Sequence, residues 1–191
     1  MKTDAPDLAT FLLQARRAGT LVHLERHRLE PAPARSVGFV VGVGDALVML
    51  HRLSDRIDLD GYEILRLRDV TAFRDDFPQA SFYRRALELK GETAMEPEAI
   101  DLSSVAAALR GVGEAQPLIT LHRERAAPDE VAIGRVRQTL PSGVRLHWIT
   151  PSAEWADDDT LYRYDSITRI EFGGEYERTL AMVAPPLPES S

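Results

Sequence analysis

The sequence contains no cysteine. Disulfides, zinc–thiolate sites and thiol nucleophiles are thereby excluded together, and the composition fits a reducing compartment. Lysine is almost as scarce. Lys2 and Lys90 are the only two, so 21 of the 23 basic residues are arginines, and no basic run exceeds two residues. Aromatics make up only 7% of the chain. Long apolar runs are missing as well. The longest, from Val37 to Leu50, is broken by glycines and Asp45, and falls short of the roughly 20 residues that a helical span requires. Near the N-terminus the apolar patch Phe11-Leu12-Leu13 is too short for the core of a secretory signal, so a soluble, cytoplasmic protein without membrane contact is expected.

What is present is globular in character, with 44% hydrophobic and 28% charged residues over 191 positions, enough for one ordinary domain or two small ones. The net charge of −7 is uneven. Residues 1–96 hold 14 basic and 15 acidic side chains, whereas residues 97–191 hold 9 and 15. Non-specific nucleic-acid affinity comes mainly from phosphate contacts, so an acidic chain is poorly equipped for it.

Periodicity gives a helix first. Asp7 is placed to cap it, Leu8, Phe11, Leu12 and Ala15 make one apolar stripe, and Gly19 can end it. Strands are expected at Leu21–Leu29, from Ser36 to Val43, at Leu47–Leu53, Tyr62–Arg68 and Val70–Arg74, with a loop at Pro31–Ala34 and a hairpin turn at Gly44-Asp45. A short helix capped by Ser81 runs from Phe82 to Leu89. After a polar linker at residues 92–97 the pattern restarts. Leu102, Val105, Ala106 and Leu109 repeat the first stripe at an offset of 94, with Gly113 as its stop; Leu146-His147 follows Leu50-His51 at 96. Tyr162-Arg163-Tyr164-Asp165-Ser166-Ile167-Thr168-Arg169-Ile170 follows Leu65-Arg66-Leu67-Arg68-Asp69-Val70-Thr71-Ala72-Phe73 at 97. Offsets this steady imply an internal duplication with small loop insertions.

A helix, five short strands and an Arg in the fourth strand resemble the Sm-like fold. In that family an N-terminal helix caps a five-stranded barrel, with a Gly in the second strand and an acidic residue near the following turn, which Gly38 and Asp45 match. The family's second motif has an apolar residue, Arg, Gly and spaced apolar positions. Leu65-Arg66 with Val70 and Phe73, and Tyr162-Arg163 with Ile167 and Ile170, match it apart from the Gly, replaced by Leu67 and Tyr164. The RNA-binding Asn of the third strand has no counterpart in Leu47-Val48-Met49-Leu50. The layout is similar to that of uncharacterised bacterial tandem Sm-like proteins. The resemblance implies a mainly β protein of two tandem Sm-like barrels with capping helices, at residues 1–91 and 98–183, with a tail at 184–191.

Chemistry is sparse. Gly42-Val43-Gly44 lacks the third glycine of a nucleotide fingerprint and leads into a strand, so a turn is expected. His51 and His147 stand at equivalent strand ends beside acidic loops (Asp55, Asp58, Asp60; Glu154, Asp157, Asp158, Asp159), the one arrangement from which a metal or hydrolytic site could be built. His23 and His27 lie too far apart on a strand to share an ion. Arg66 and Arg163 either bind an anion at a loop mouth or brace a bend by pairing with Glu63, Asp69 or Asp165. Tyr62, Tyr83, Tyr162, Tyr164, Trp148 and Trp155 invite comparison with a base-stacking platform, and Trp155, in a polar loop, with a partner anchor. No Ser-His-Asp arrangement emerges. The expectation is a non-enzymatic interaction or scaffold protein without cofactor or metal, whose partner is protein and which can self-associate. Arg66, Arg163, Trp155, His51 and His147 are its candidate contacts. RNA binding and a metal-dependent hydrolase are the alternatives.

Overall fold

A computed structural model describes residues 7–29, 34–97 and 99–187. Asp7 Oδ1 accepts a 3.0 Å hydrogen bond from the Thr10 N–H, so helix α1 begins at Leu8 and runs to Ala18. Gly19, with φ of +59°, closes it by donating to the Ala15 and Arg16 carbonyls, a conformation that any side chain would strain. Strands β1 (Leu21–Arg26), β2 (Ala34–Val43), β3 (Leu47–Leu53), β4 (Leu59–Arg66) and β5 (Ala72–Arg74) follow, then helix α2 (Ala80–Lys90). The second half repeats the order: α3 (Val105–Ala115), β6 (Ile119–Arg123), β7 (Ala127–Thr139), β8 (Gly143–Trp148), β9 (Thr160–Arg163), β10 (Arg169–Phe172) and α4 (Glu175–Val183). Pro31–Pro33 of the expected loop lie outside the described residues.

The strands do not make two separate closed barrels. They form one open antiparallel sheet in the order β5-β1-β2-β3-β4-β10-β6-β7-β8-β9. Each half keeps the same internal order, its fifth strand beside its first. The halves join where β4 pairs with β10, Arg169 opposite Leu65 and Phe172 opposite Tyr62. Among the described residues, the two ends, β5 and β9, each pair on one side only. Local irregularities repeat too. A bulge interrupts β2–β3 between Val40 and Gly42, and another interrupts β7–β8 between Val136 and Gln138. Thr71 donates to the Glu25 carbonyl as Thr168 does to that of His122.

Several expectations shift, among them the cap of α2, which starts at Ala80 after Gln79 and not at Phe82 after Ser81. The fourth strand of each half stops at its Arg, because Leu67–Asp69 and Tyr164–Ser166 wind into 3-10 turns. The second helix starts at Val105 rather than near Asp101, because the Ser104 hydroxyl accepts from the Ala107 N–H and caps it. Its buried stripe is therefore Val105, Ala108, Leu109 and Val112, not Leu102, Val105, Ala106 and Leu109. Leu102 precedes the helix and packs onto Gly42 and Gly44, where a Cβ would lie 2.7 and 2.6 Å from its atoms. Gly113 does not stop the helix either. It lets α3 approach β7, where an added Cβ would stand 2.7 Å from Val136 Cβ.

Two cores result. One, between α1 and the first half, gathers Phe11, Leu12, Val22, Leu24, Val40, Val48, Leu50 and Leu65. The larger spans both halves: Val41, Met49 and Ile64 of the first pack with Leu102, Leu109, Leu121, Leu146, Ile170 and Phe172 of the second. The strand junction is thus also a hydrophobic junction. Gly113→Ala is expected to destabilise the chain by about 2 kcal/mol, read as a lowered midpoint in urea with an unchanged slope.

Candidate functional site

The junction between the halves carries the most concentrated chemistry. Arg66, at the end of β4, is 8% exposed. Its Nε donates to the Ile167 carbonyl at 2.6 Å and its Nη2 to the Tyr164 carbonyl, both in the other half. The expected bracing partners, Glu63 and Asp69, are not its hydrogen-bond partners. Asp69 instead accepts from Arg125 Nη2 at 2.5 Å, again across the halves. With two of its donors on carbonyls of the other half, Arg66 clamps the two halves together. Arg163, 97 positions on, lies exposed and holds only its neighbour Asp165, at 3.2–3.3 Å. The two arginines stand 97 positions apart and do different things, because the turn before β10 that receives Arg66 has no counterpart beside β9 among the described residues.

Behind β4 and β10 lies a buried ionic cluster. Arg26, at the end of β1, makes a two-pronged bond with Glu124, at 2.7 and 2.9 Å, and both are buried. Such a fork fixes geometry as well as charge. Arg169 stands 3.0 Å from Glu171, 3.5 Å from Glu124 and 3.8 Å from Glu63. It also meets His122 Nδ1 at 3.0 Å. A guanidinium only donates, so Nδ1 accepts and the ring proton sits on Nε2, 3.4 Å from Glu171. Burial works to raise the Glu171 carboxyl, but His122 and the Arg169 and Arg52 charges outweigh it and bring it down to about 2. Burial likewise opposes Glu124, and Arg26 holds it below its ordinary value. Glu63 goes the other way. Burial dominates and raises it, helped by Glu171 and opposed by Arg169, Arg26 and Ser36. Three arginines and carboxylates from both halves therefore meet under one sheet, a neutralised brace.

The paired histidines diverge as well. His51 Nδ1 accepts from the Met95 N–H of the linker at 3.2 Å, and its ring stacks on Tyr62. Burial lowers its basicity, against the pull of Glu92 and Asp60. His147 Nδ1 donates to Asp159 at 2.7 Å, beside the Trp155 ring. No group of three or more metal-binding side chains occurs among the described residues. Asp60 is committed elsewhere, accepting from the Glu175 N–H at 2.6 Å, at the start of α4. His23 and His27 do converge, on Glu25 between them (3.8 and 2.7 Å), because His27 lies in the turn after β1 and curls back. Trp155 is not a free anchor: its indole N–H donates to the Pro185 carbonyl at 2.8 Å, which holds the start of the tail.

The aromatics do not gather on one platform. Tyr62 stacks between His51 and Phe172, Tyr83 lies against Phe77 and Phe82, and Tyr164 bonds the Leu140 carbonyl. Arg123 covers Tyr162 at 5.3 Å. Gly42 and Val43 end β2, and the expected hairpin turn starts at Gly44, which donates to the Leu47 carbonyl. Sequence reasoning missed the Arg26–Glu124 pair, 98 positions apart, and the arginines of β7 and β8. The 97-residue offset was the available signal for the first, since it places Arg26 and Glu124 at the ends of equivalent strands. No family model, no curated protein and no solved structure matches the chain.

Glu63 supplies a pH test. Its folded-state value lies above the unfolded one, so its ionisation disfavours the fold, and lowering the pH towards 4.5 relieves that. Glu171 acts oppositely, its contribution being lost only below its ordinary 4.5. Between pH 7 and 4.5, wild type should gain stability relative to Glu63→Gln, measured by parallel urea unfolding. A constant difference would contradict the burial of an ionisable Glu63.

Proposed function

We propose that the chain is a non-enzymatic interaction module, two fused Sm-like units arisen by duplication, whose protein partner is a further copy of itself. The observation that carries this reading is the contrast between Arg66 and Arg163. Inside the chain, a fourth strand meets a fifth strand and its Arg clamps two carbonyls beyond it. At the ends, β9 offers an unpaired fourth strand with an exposed Arg163, and β5 offers an unpaired fifth strand. Leu161 stands where Ile64 stands in the first half, yet it is 48% exposed while Ile64 is 2% exposed.

Repeating the internal register 97 positions on sets Ala72 of one copy opposite Tyr162 of the next and Phe73 opposite Leu161. Arg163 then faces the carbonyls of Leu67 and Val70. Such a contact is head-to-tail, so it closes into a ring or extends, as the angle between copies dictates. Covering both edges would also remove two templates for uncontrolled pairing.

Complementation tests the reading. The Thr71 N–H points to β1, so by alternation the Ala72 N–H points outward, and Ala72→Pro blocks the β5 edge alone. Leu161→Lys blocks the β9 edge. Sedimentation should show wild type larger than a monomer and each variant monomeric. An equimolar mixture should give a dimer, since one good edge of each kind remains. A monomeric wild type at about 50 μM, or a mixture that stays monomeric, sinks the proposal.

A further inference from the structure

The outer face of β7 and β8 bears a cleft of about 520 Å³ lined by Arg135, Val136, Arg137, Gln138, Arg145 and Asp159. Three of the nine basic residues of an acidic half line this one depression. Arg135 and Arg145 are exposed and make no hydrogen bond or ion pair among the described residues. Arg137, part-buried in the bulge, has its Nε 4.0 Å from Asp159 Oδ1. Asp159 is itself occupied by His147.

The first half shows how unusual this is. Its equivalent positions, 96 residues earlier across the same bulge, are Phe39, Val41, Gly42 and Met49. Val41 and Met49 are buried beneath Leu102 and Val105. Where the first half is apolar and covered, the second carries guanidinium groups. A face that merely meets water is served by any polar mixture, and like charges gathered on one ladder repel. With Arg137 beside Asp159, the exposed guanidinium groups of Arg135 and Arg145 leave two positive charges, which a polyanion offsets.

We propose that this cleft binds a small molecule through a phosphate group, of the diphosphate class. Guanidinium forks match phosphate oxygens in pairs. Val136 is the one apolar side chain in the lining and no aromatic ring belongs to it, so recognition rests on the anion and not on a stacked base. Arg145 stands opposite Leu161 of β9, so the cleft borders the edge used in self-association and the two must be measured together.

The experiment is calorimetric titration of pyrophosphate into the full chain at low salt, with sedimentation run on the same samples. Saturable binding, weakened about tenfold by Arg135→Gln or Arg145→Gln and less than twofold by Arg163→Gln, is the expected result. Thermal melts confirm that these exposed substitutions leave the fold intact. No binding by wild type, or binding unaffected by the double Arg135→Gln, Arg145→Gln variant, overturns the proposal. So does equal affinity for citrate, which would make the site a general polyanion trap. Binding of a single-stranded decanucleotide without binding of pyrophosphate also overturns it, assigning the cleft to a nucleic-acid backbone instead.

Discussion

The structure depends on the pairing of β4 with β10. Each half alone has few residues with which to enclose a core, and the larger apolar cluster draws side chains from both. Removing the junction would expose Ile64, Ile170 and Phe172 together and leave the Arg26–Glu124 pair and Arg169 without their opposite charges. Backbone ladder, apolar packing, the Arg66 clamp and the buried ionic cluster all act along one seam. Burying charges stabilises little in itself. Its effect here is on register: slipping β10 by one residue would turn Arg169 and Glu171 into the apolar core and Ile170 away from it.

Much of this was legible in the sequence, for a physical reason. Caps and turns are local, so Asp7, Gly19 and the Gly44 hairpin could be read from neighbouring residues, and β3 was placed at Leu47–Leu53. Runs of β-forming residues marked the strands, and the order of elements repeats as the steady offset implies. What sequence could not supply was partnership over distance. Arg66 looked like a residue to be braced by Glu63 or Asp69, yet its partners are carbonyls about 100 positions away, and carbonyls have no sequence signature. Trp155 looked exposed because its loop is polar, but its partner is a backbone oxygen of Pro185. The arginines of the β7–β8 cleft were passed over because they are not consecutive. A hairpin brings Arg145 opposite Gln138, and the bulge sets Arg137 beside them.

The contrast between the halves bears most on function. Equivalent positions have been given different work: Arg66 clamps and Arg163 is open, His51 accepts from the linker and His147 donates to Asp159, and Met49 is covered where Arg145 is bare. Arg66 and Met49 face the other half of the chain while Arg163 and Arg145 face outward; both histidines are buried. The inner members are explained by the junction. The outer ones, Arg163 and Arg145, lie exposed on and beside the β9 edge.

The most direct test is the hydrogen exchange of the Ala72 amide, which points away from β1 along the unpaired edge of β5, followed as protein concentration rises. If β9 of a second copy occupies that edge, exchange should slow in step with association while the amide of Thr71, already bonded to Glu25, stays protected throughout. Exchange at Ala72 that remains fast at every concentration would contradict the account.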